Sequence, residues 1–453
     1  MQSLVDREIN SMPQAKFSFP RSFLWGTATS AHQVEGNNTN NNWYVWENKP
    51  GRIANGDKSG LACDWWGGRW KEDLQNAAGD GQNAHRFSIE WSRIQPKPDQ
   101  WDESALDYYR EMIKGMLKLG LVPMLTLHHY SDPIWVEEAG GWRNDHTPEF
   151  FAIFVRKAVA ALKDLVKLWI TINEPFGYVA NAFVLDTFPP GKSNNHDVFV
   201  ALTNLVRAHA RAYHIIHELQ PEAKVGFAHY YRSLLPAKAW FPLDVMTRNI
   251  LDSTINHSFP DALVDGYVKV LTWKASVPEA KNTQDFIGVN YYSRDMVAFN
   301  LFNPKGLFRK TYPPKDAIMS ENGFIAYVPD AILDALKWAH SFKLPIYITE
   351  NGIEDSKDTL RPRFLIESIH QVWRIVNFNW NIKGYFHWSQ VDNFEWERGW
   401  SQRFGLWHLD IETQKRIRRR SADVYAAICR ENGITSEMVA KYVPELMPTL
   451  FPG

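Results

Sequence analysis

The chain has 453 residues, of which 45% are hydrophobic and 22% charged, a composition typical of a protein that buries a large core. Its 50 Lys and Arg against 51 Asp and Glu give a formal charge of −1, so no overall field favours nucleic acid or an anionic membrane as a partner. The aromatic content of 14% excludes a largely disordered chain.

Cysteine usage and apolar runs indicate the compartment. Two cysteines, Cys63 and Cys429, cannot form a disulfide framework and suit a reducing environment. The N-terminal segment lacks the continuous apolar stretch of a secretory signal, and no run of about 18 apolar residues predicts a membrane span. We therefore expect a cytoplasmic protein with no membrane partner, a single domain over residues 1–453 in which 1–16 form an N-terminal extension.

Short β-branched apolar runs alternate with longer amphipathic stretches, a pattern typical of parallel strands joined by crossover helices. Eight such runs are predicted strands, and they begin at Leu24, Ala84, Val122, Lys167, Ala223, Asp285, Pro345 and Ile382. The helical patterns between them include Glu103–Leu119, Pro148–Leu165, Phe199–Leu219, Asp330–Phe342 and Arg361–Val376.

Eight strands with intervening helices favour a single closed (β/α)8 TIM barrel of the α/β class. The alternative is an open doubly wound sheet, but no G-x-G-x-x-G turn follows the first strand. A bare barrel needs about 250 residues. The remainder is expected in extended loops on the C-terminal face, chiefly in 231–284 and 293–344.

The carboxyl ends of the predicted strands are rich in side chains suited to chemistry, and barrels of this type place their active sites there. In chain order these residues are Gln33, Glu35, Arg86, Glu90, His128, His129, Asn173, Glu174, Asn290, Tyr292, Glu350, Asn351, Trp388, Glu395 and Trp396. Carboxylates at the ends of buried strands lose hydration at a cost, so a repeated occurrence points to function rather than folding.

Glu174 and Glu350 end two apolar strands, the fourth and the seventh, which lie roughly across the barrel from each other. Cleavage of a glycosidic bond needs such a pair, one carboxyl protonated to donate to the leaving oxygen and one ionised to attack the anomeric carbon. The 20 tryptophans fit sugar stacking, although they fit an aromatic-rich core equally well. Alternatively, each glutamate only caps the next helix or pairs with an arginine.

A metal site at His128 and His129 is disfavoured. Adjacent residues of a strand point to opposite faces and cannot jointly bind one ion. The chain has no H-E-x-x-H motif and no cysteine pair with zinc-ligand spacing. We expect no metal, one imidazole in the substrate pocket, and the other in the core or at the surface.

The chain resembles glycoside hydrolase family 1, the β-glucosidase and β-galactosidase family, in motifs that follow the family order. The matching segments are FLWGTATSAHQVEG (Phe23–Gly36), RFSIEWSRI (Arg86–Ile94), TLHHYSDPIW (Thr126–Trp135), TINEP (Thr171–Pro175), IGVNYYSR (Ile287–Arg294), YITENGI (Tyr347–Ile353) and GYFHWSQVDNFEWERGWSQRFGL (Gly384–Leu406).

The resemblance implies a retaining exo-β-glycosidase that releases terminal β-D-glucosyl, and also galactosyl or fucosyl, residues through a covalent glycosyl-enzyme without a cofactor. Its substrates would be small β-glycosides or oligosaccharides. Glu174 matches the acid/base of the family and Glu350 the nucleophile. The residues that match the family's supporting residues of catalysis are Arg86, Asn173 and Tyr292. Those that match its sugar-binding residues are Gln33, His129, Asn173, Asn290, Trp388, Glu395 and Trp396. Without the resemblance, Arg86 could be a structural ion-pair residue and Trp388 a core residue.

Departures from the family pattern bear on specificity. Tyr130 stands where Trp is common and Gln390 where an apolar residue is common, and both are expected beside the pocket. The 6-phospho-β-glycosidases of the family typically have Ser at the position of Glu395, and a carboxylate there would repel a phosphate dianion. Unphosphorylated sugars are therefore favoured. A 6-phospho-β-glycosidase and a non-catalytic sugar-binding barrel remain the alternatives, and the oligomeric state stays open.

Overall fold

A computed structural model describes residues 15–303 and 306–452 of the chain. At its centre, eight parallel strands form a barrel that closes where the last strand pairs with the first. These strands, β1 to β8, are Leu24–Ala28, Ala84–Ser88, Val122–His128, Leu168–Asn173, Lys224–Tyr230, Phe286–Tyr291, Ile346–Asn351 and Ile382–Trp388. The predicted strands and the TIM barrel are confirmed, and the open-sheet alternative is wrong.

Helices surround the barrel. Within the described residues those of nine or more residues are α1 to α8, namely Trp70–Gly79, Glu103–Lys118, Thr147–Leu162, Asn195–Leu219, Pro242–Asp252, Ile332–His340, Arg361–Asn377 and Arg420–Glu431. In α2, Asp102 caps the N-terminus by accepting from the Ala105 amide, and Leu106, Ile113 and Met116 form the buried face. The predicted helical patterns agree with α2, α3, α4, α6 and α7.

The two predicted insertions hold five of the nine described strands outside the barrel, and most of the short helical segments lie in other connections. A three-stranded sheet joins them, in the order Arg309–Tyr312, Arg294–Phe299, Ser233–Pro236. A hairpin of Tyr267–Val270 and Trp273–Ser276 follows α5. Elsewhere Trp407–Leu409 pairs with Arg416–Arg418, and Lys16–Ser18 pairs with Gly433–Thr435. Residues 1–14 of the predicted N-terminal extension lie outside the described residues.

Short helical segments occupy the connections. Their bounds are Ala31–Val34, Asn42–Glu47, Ala54–Gly56, Trp91–Ile94, Ile134–Glu138, Gly141–Arg143, Pro175–Ala180, Asn181–Leu185, Ser253–His257, Ala262–Asp265, Pro278–Ala280, Pro329–Ala331, Trp396–Arg398, Ser436–Tyr442, Pro444–Leu446 and Met447–Leu450. In the part of the chain that the structure describes, no helix has the length and apolarity needed to cross a membrane. Cys63 and Cys429 are both buried free thiols.

The barrel interior is packed beneath the carboxyl ends of the strands. Met124, Leu168, Phe286 and Phe386 belong to one buried apolar cluster there. Gly26 faces the Phe386 ring, and a Cβ at this position would lie 2.7 Å from a ring carbon. The filled interior gives the strand ends a floor, so a pocket can form only above it.

Three breaks in strand register lie close to the carboxyl ends. They fall between Ile170 and Asn173, between Val289 and Asn290, and between Ile348 and Asn351. Irregularities of this kind re-aim side chains and are common beside active sites. They occur where β4, β6 and β7 deliver Asn173, Asn290 and Glu350.

Candidate active site

Glu174 follows the last residue of β4 and precedes the short helix Pro175–Ala180. Its backbone is left-handed, with φ 44° and ψ 58°, and its side chain makes no capping hydrogen bond to that helix. Instead, Oε1 accepts from Asn290 Nδ2 at 2.7 Å, and Oε2 accepts from the Tyr130 hydroxyl. The interpretation of Glu174 as only a helix cap is therefore wrong.

Glu350 lies within β7 and is buried. Its Oε1 accepts from Arg86 Nη1 at 2.6 Å, and its Oε2 accepts from the Tyr292 hydroxyl at 2.6 Å. Arg86, on β2, is also fully buried. Glu350 is thus a paired carboxylate whose two oxygens are both held by donors.

A network of amides connects the two glutamates. Arg86 Nη2 donates to Asn173 Oδ1 at 2.6 Å, and Asn290 Nδ2 donates to the same oxygen at 3.1 Å. Since Asn290 also donates to Glu174, the chain of contacts runs from Glu350 through Arg86, Asn173 and Asn290 to Glu174. Every predicted catalytic and supporting residue belongs to this one network.

The predicted sugar-contacting residues line an aromatic wall beside the network. His129 Nε2 accepts from Asn173 Nδ2 at 3.1 Å, and the imidazole stacks on both Trp388 and Trp396, with its centroid 6.0 Å from each ring. Because Asn173 Oδ1 faces Arg86, its Nδ2 must face His129, so the ring carries its proton on Nδ1. That buried Nδ1 has no partner among the described residues.

Gln33 links the segment after β1 to the loop after β8. Its Nε2 donates to Asn393 Oδ1 at 3.0 Å, to the Phe394 carbonyl at 2.9 Å and to Glu395 Oε2 at 3.2 Å. Glu395 itself is half-buried. Burial, and then the charges of Glu397 and Glu350, raise its pKa well above the usual value.

The two central carboxyls have different electrostatic surroundings. Burial, followed by the charge of Glu350, raises the pKa of Glu174 to about 8. Burial also raises the pKa of Glu350, but Arg86 and Tyr292 oppose that rise. Because Arg86 contacts Glu350 directly and Glu174 only through amides, Glu350 is the member of the pair that ionises first.

Sequence reasoning missed some contacts and misplaced one residue. Tyr130 lies beside the pocket as expected from its departure from the family pattern, two residues past the end of β3, but its hydrogen bond to Glu174 was not predicted. Gln390 does not lie beside the pocket as expected. Its side-chain oxygen accepts from Thr27 at 3.0 Å and Gln82 at 3.0 Å, in the layer between barrel and helices.

The adjacent histidines diverge as expected. His128 Nε2 lies 3.0 Å from Asp132 Oδ1, and its ring packs on Trp142 and Tyr178 in the buried outer layer. Over residues 15–303 and 306–452, no three His, Cys, Asp or Glu side chains are grouped to hold a metal ion.

The site holds two buried carboxyls, one paired with an arginine and one held only by neutral donors. Acid-assisted cleavage of a glycosidic bond requires such a pair, and this is the chemistry of a glycoside hydrolase. The model of glycosyl hydrolase family 1 matches residues 15–434. The chain belongs to this family, and it is a β-glycosidase of the β-glucosidase type.

Individual relatives agree in length and fold. β-Glucosidase A of Thermotoga maritima is 33% identical over 92% of this chain and 98% of its own. A β-glycosidase from Pyrococcus horikoshii superposes with a TM-score of 0.88 at 34% identity, covering 94% of this chain and 98% of the other. The T. maritima β-glucosidase in complex with glucoimidazole gives a TM-score of 0.86 at 32% identity, with 92% and 100% coverage.

Proposed function

We propose that this protein is a retaining exo-β-glycosidase in which Glu350 is the nucleophile and Glu174 the acid/base. The observation that carries the proposal is the unlike setting of the two buried carboxyls. Glu350 is paired with Arg86, which favours the ionised form that attacks carbon. Within the described residues Glu174 has no direct cationic contact, and its pKa is raised to about 8, which favours the protonated form that donates.

In the first step, a Glu350 oxygen forms a bond to the anomeric carbon as the bond to the leaving oxygen breaks. Glu174 transfers its proton to that oxygen, so the aglycone departs as a neutral alcohol. The glycosyl ester neutralises Glu350, and the repulsion that raised the pKa of Glu174 disappears. Glu174 therefore remains as a carboxylate, ready to act as a base.

In the second step, water attacks the anomeric carbon, its proton passes to Glu174, and Glu350 leaves as a carboxylate. Two inversions at one carbon give net retention. This mechanism requires the carboxyl groups to lie about 5–5.5 Å apart. Arg86 and Tyr292 would orient Glu350 throughout, and Asn290 would hold Glu174.

The proposed sugar contacts use hydrogen-bonding groups and aromatic faces of the residues beside the glutamate network. Asn173, held between Arg86 and His129, is suited to the 2-hydroxyl, whose contact strengthens in the transition state. The unpartnered Nδ1 of His129 is a donor for a further hydroxyl. Trp388 and Trp396 offer stacking faces, and the Gln33–Glu395 contact supports a pocket closed at its inner end, which accepts only a terminal sugar.

Unphosphorylated glucose-like sugars are the proposed glycones, with galactosides and fucosides as further substrates. The relative bound to glucoimidazole supports a glucose-shaped pocket. Glu395 weighs against the 6-phospho-β-glycosidase alternative, because Glu397 and Glu350 already make its surroundings negative. The intact glutamate pair weighs against a non-catalytic sugar-binding barrel.

The test is a set of initial rates on aryl β-glycosides with gluco, galacto, fuco, manno and 6-phospho-gluco glycones. We expect rapid cleavage of the unphosphorylated gluco or fuco substrates, and proton NMR should detect the β-anomer as the first product. Cleavage of the phosphorylated substrate alone would reverse the assignment of Glu395. Release of the α-anomer would exclude retention, and a folded protein inactive on every glycoside would support the sugar-binding alternative.

A further inference from the structure

Tyr130 lies two residues past the end of β3, and its hydroxyl donates to Glu174 Oε2. We infer that Tyr130 is a positioning residue that determines which oxygen of Glu174 carries the transferable proton and how readily that proton is released. The inference rests on the proposed function, in which Glu174 is the acid/base.

The Tyr130 hydroxyl is held in place by its surroundings. The ring stacks on Tyr178 at 5.8 Å and 16°, and it meets the rings of Phe188 and Trp396 edge-on, each at 5.2 Å. The residue is buried, and its φ of 68° is in the left-handed region that a bulky side chain rarely adopts. Glu174 is left-handed as well, so both partners of this hydrogen bond have an unusual backbone. Such conformations cluster at functional sites.

The partners of Glu174 distinguish its two oxygens. Asn290 Oδ1 accepts from Thr349 at 2.7 Å and faces Arg86, which fixes the orientation of the amide. Asn290 Nδ2 therefore points at Glu174 Oε1, and an amide N–H can only donate. A phenol can donate and accept. The acidic proton consequently belongs on Oε2, where the Tyr130 oxygen can accept it while the acid waits for substrate.

The same phenol assists when Glu174 is ionised. Burial and the neighbouring Glu174 raise the pKa of Tyr130 well above its usual value, so the phenol keeps its proton and remains a donor. That donor favours the Glu174 carboxylate, against burial and the charge of Glu350. The other titratable or charged groups that act on Glu174 are Arg86, Tyr230, Tyr292 and Glu350, while His129 bonds to the neighbouring Asn173. Of all these, only Tyr130 makes a hydrogen bond to Glu174 in the described structure.

Loss of the hydroxyl has opposite consequences for the two half-reactions. Without the donor, Glu174 holds its proton to higher pH, so the acid needed in the first step persists further into the basic range. The base needed in the second step then forms only at higher pH. Both limbs of the pH–rate profile should therefore shift to higher pH together. A general loss of packing does not produce this result.

The experiment compares Tyr130→Phe with Tyr178→Phe. Tyr178 belongs to the same aromatic stack, but its hydroxyl bonds to Asp132 at 2.8 Å. For Tyr130→Phe we expect the basic limb of kcat/KM to rise by about one pH unit. The acidic limb of kcat on a dinitrophenyl glycoside, where the second step limits the rate, should rise by about the same amount. Tyr178→Phe should leave both limbs in place.

The inference is wrong if the limbs of the pH–rate profile stay in place in Tyr130→Phe, or if they shift equally in Tyr178→Phe. Tyr130→Leu, which also lacks a donor, must move the limbs in the same direction. Glu174→Gln separates this test from the proposed function. If that variant keeps the wild-type basic limb, the acid/base assignment itself fails. If it abolishes the limb while Tyr130→Phe leaves it in place, only the role of Tyr130 fails.

Discussion

Arg86 and Glu350 form an ion pair at 2.6 Å, with side chains only 1% and 5% exposed. Burying two charges costs hydration energy that their attraction does not reliably return, so such a pair is weak support for a purely structural role. Arg86 also donates to Asn173 at 2.6 Å, and thereby fixes the orientation of an amide whose nitrogen contacts His129. The pair is best understood as the device that keeps one of two coupled carboxyls ionised.

Arg86→Met should therefore alter the pH profile as well as stability. Without the guanidinium, the pKa of Glu350 rises further above its usual value, and the ionised nucleophile appears only at higher pH. We expect kcat/KM to fall about 10²-fold or more near neutral pH, and the acidic limb of its pH profile to shift to higher pH. The free energy of unfolding should drop by about 3–5 kcal/mol.

Arg361→Met is the matched control for that variant. Arg361 is equally buried and pairs with Asp358 at 2.7 Å, and it makes no hydrogen bond to either glutamate in the described structure. This control should lose stability without moving the acidic limb. Equal movement of the limb in both variants would mean that the shift reflects general destabilisation.

Glu350→Gln should abolish turnover while leaving the fold intact. The amide keeps the shape of the side chain but cannot attack the anomeric carbon, so we expect a loss of ~10⁴-fold or more in kcat. Glu354→Gln, at a buried carboxylate that bonds to Ser320 at 2.6 Å, should retain activity. Circular dichroism checks both folds, and near-wild-type hydrolysis by Glu350→Gln would exclude it as the nucleophile.

The positions of the two glutamates are predictable from the sequence, whereas the contacts of Tyr130 and Gln390 are not. Barrel strands are buried on both faces, so each appears as a continuous apolar run that ends at the pocket, and this locates Glu174 and Glu350. The hydrogen bond from Tyr130 could not be predicted, since it depends on a left-handed turn after β3 and on three aromatic rings from segments distant in the sequence. Gln390 lies two residues past β8, where the alternation of strand faces no longer indicates direction.

Glu174→Ala should slow poor leaving groups far more than activated ones. Proton donation contributes about 10²–10⁴-fold when the leaving alkoxide is basic and little when it is already stable. We expect kcat/KM for a phenyl glycoside to fall ~10³-fold and that for a dinitrophenyl glycoside by less than ~10-fold. Added azide should restore kcat by forming a β-glycosyl azide, because this nucleophile needs no base. Uniform slowing across leaving groups would argue against the acid role.

Glu174→Gln should stabilise the protein, and only at higher pH. The pKa of Glu174 is about 8 in the folded chain against an ordinary value of 4.5, so the folded state binds the proton more tightly. Its contribution to stability is complete below pH 4.5 and is lost as pH rises through about 8. The amide cannot ionise, so the variant should gain on the order of 1–3 kcal/mol above pH 8 and little at pH 5. Melting temperatures at pH 5 and 8.5 measure this, and an equal difference at both would contradict it.

Glu395→Ser should shift specificity toward phosphorylated sugars. Burial, and then the charges of Glu397 and Glu350, raise the pKa of the Glu395 carboxyl, and the negative potential of these two neighbours opposes a phosphate dianion at the sugar 6-position. Removing one carboxyl and opening space beside Gln33 should raise kcat/KM for a 6-phosphoglucoside relative to the glucoside by about tenfold.

Glu397→Gln removes a carboxyl from the adjacent turn instead, where Glu397 pairs with Arg398 at 3.0 Å. Its effect on the ratio should be smaller, because Glu397 makes no contact with Gln33 in the described chain. An equal effect would assign the discrimination to overall charge rather than to Glu395. A wild-type enzyme that already prefers the phosphorylated substrate would instead make Glu395 part of a phosphate-tolerant pocket, with its carboxyl held protonated by burial.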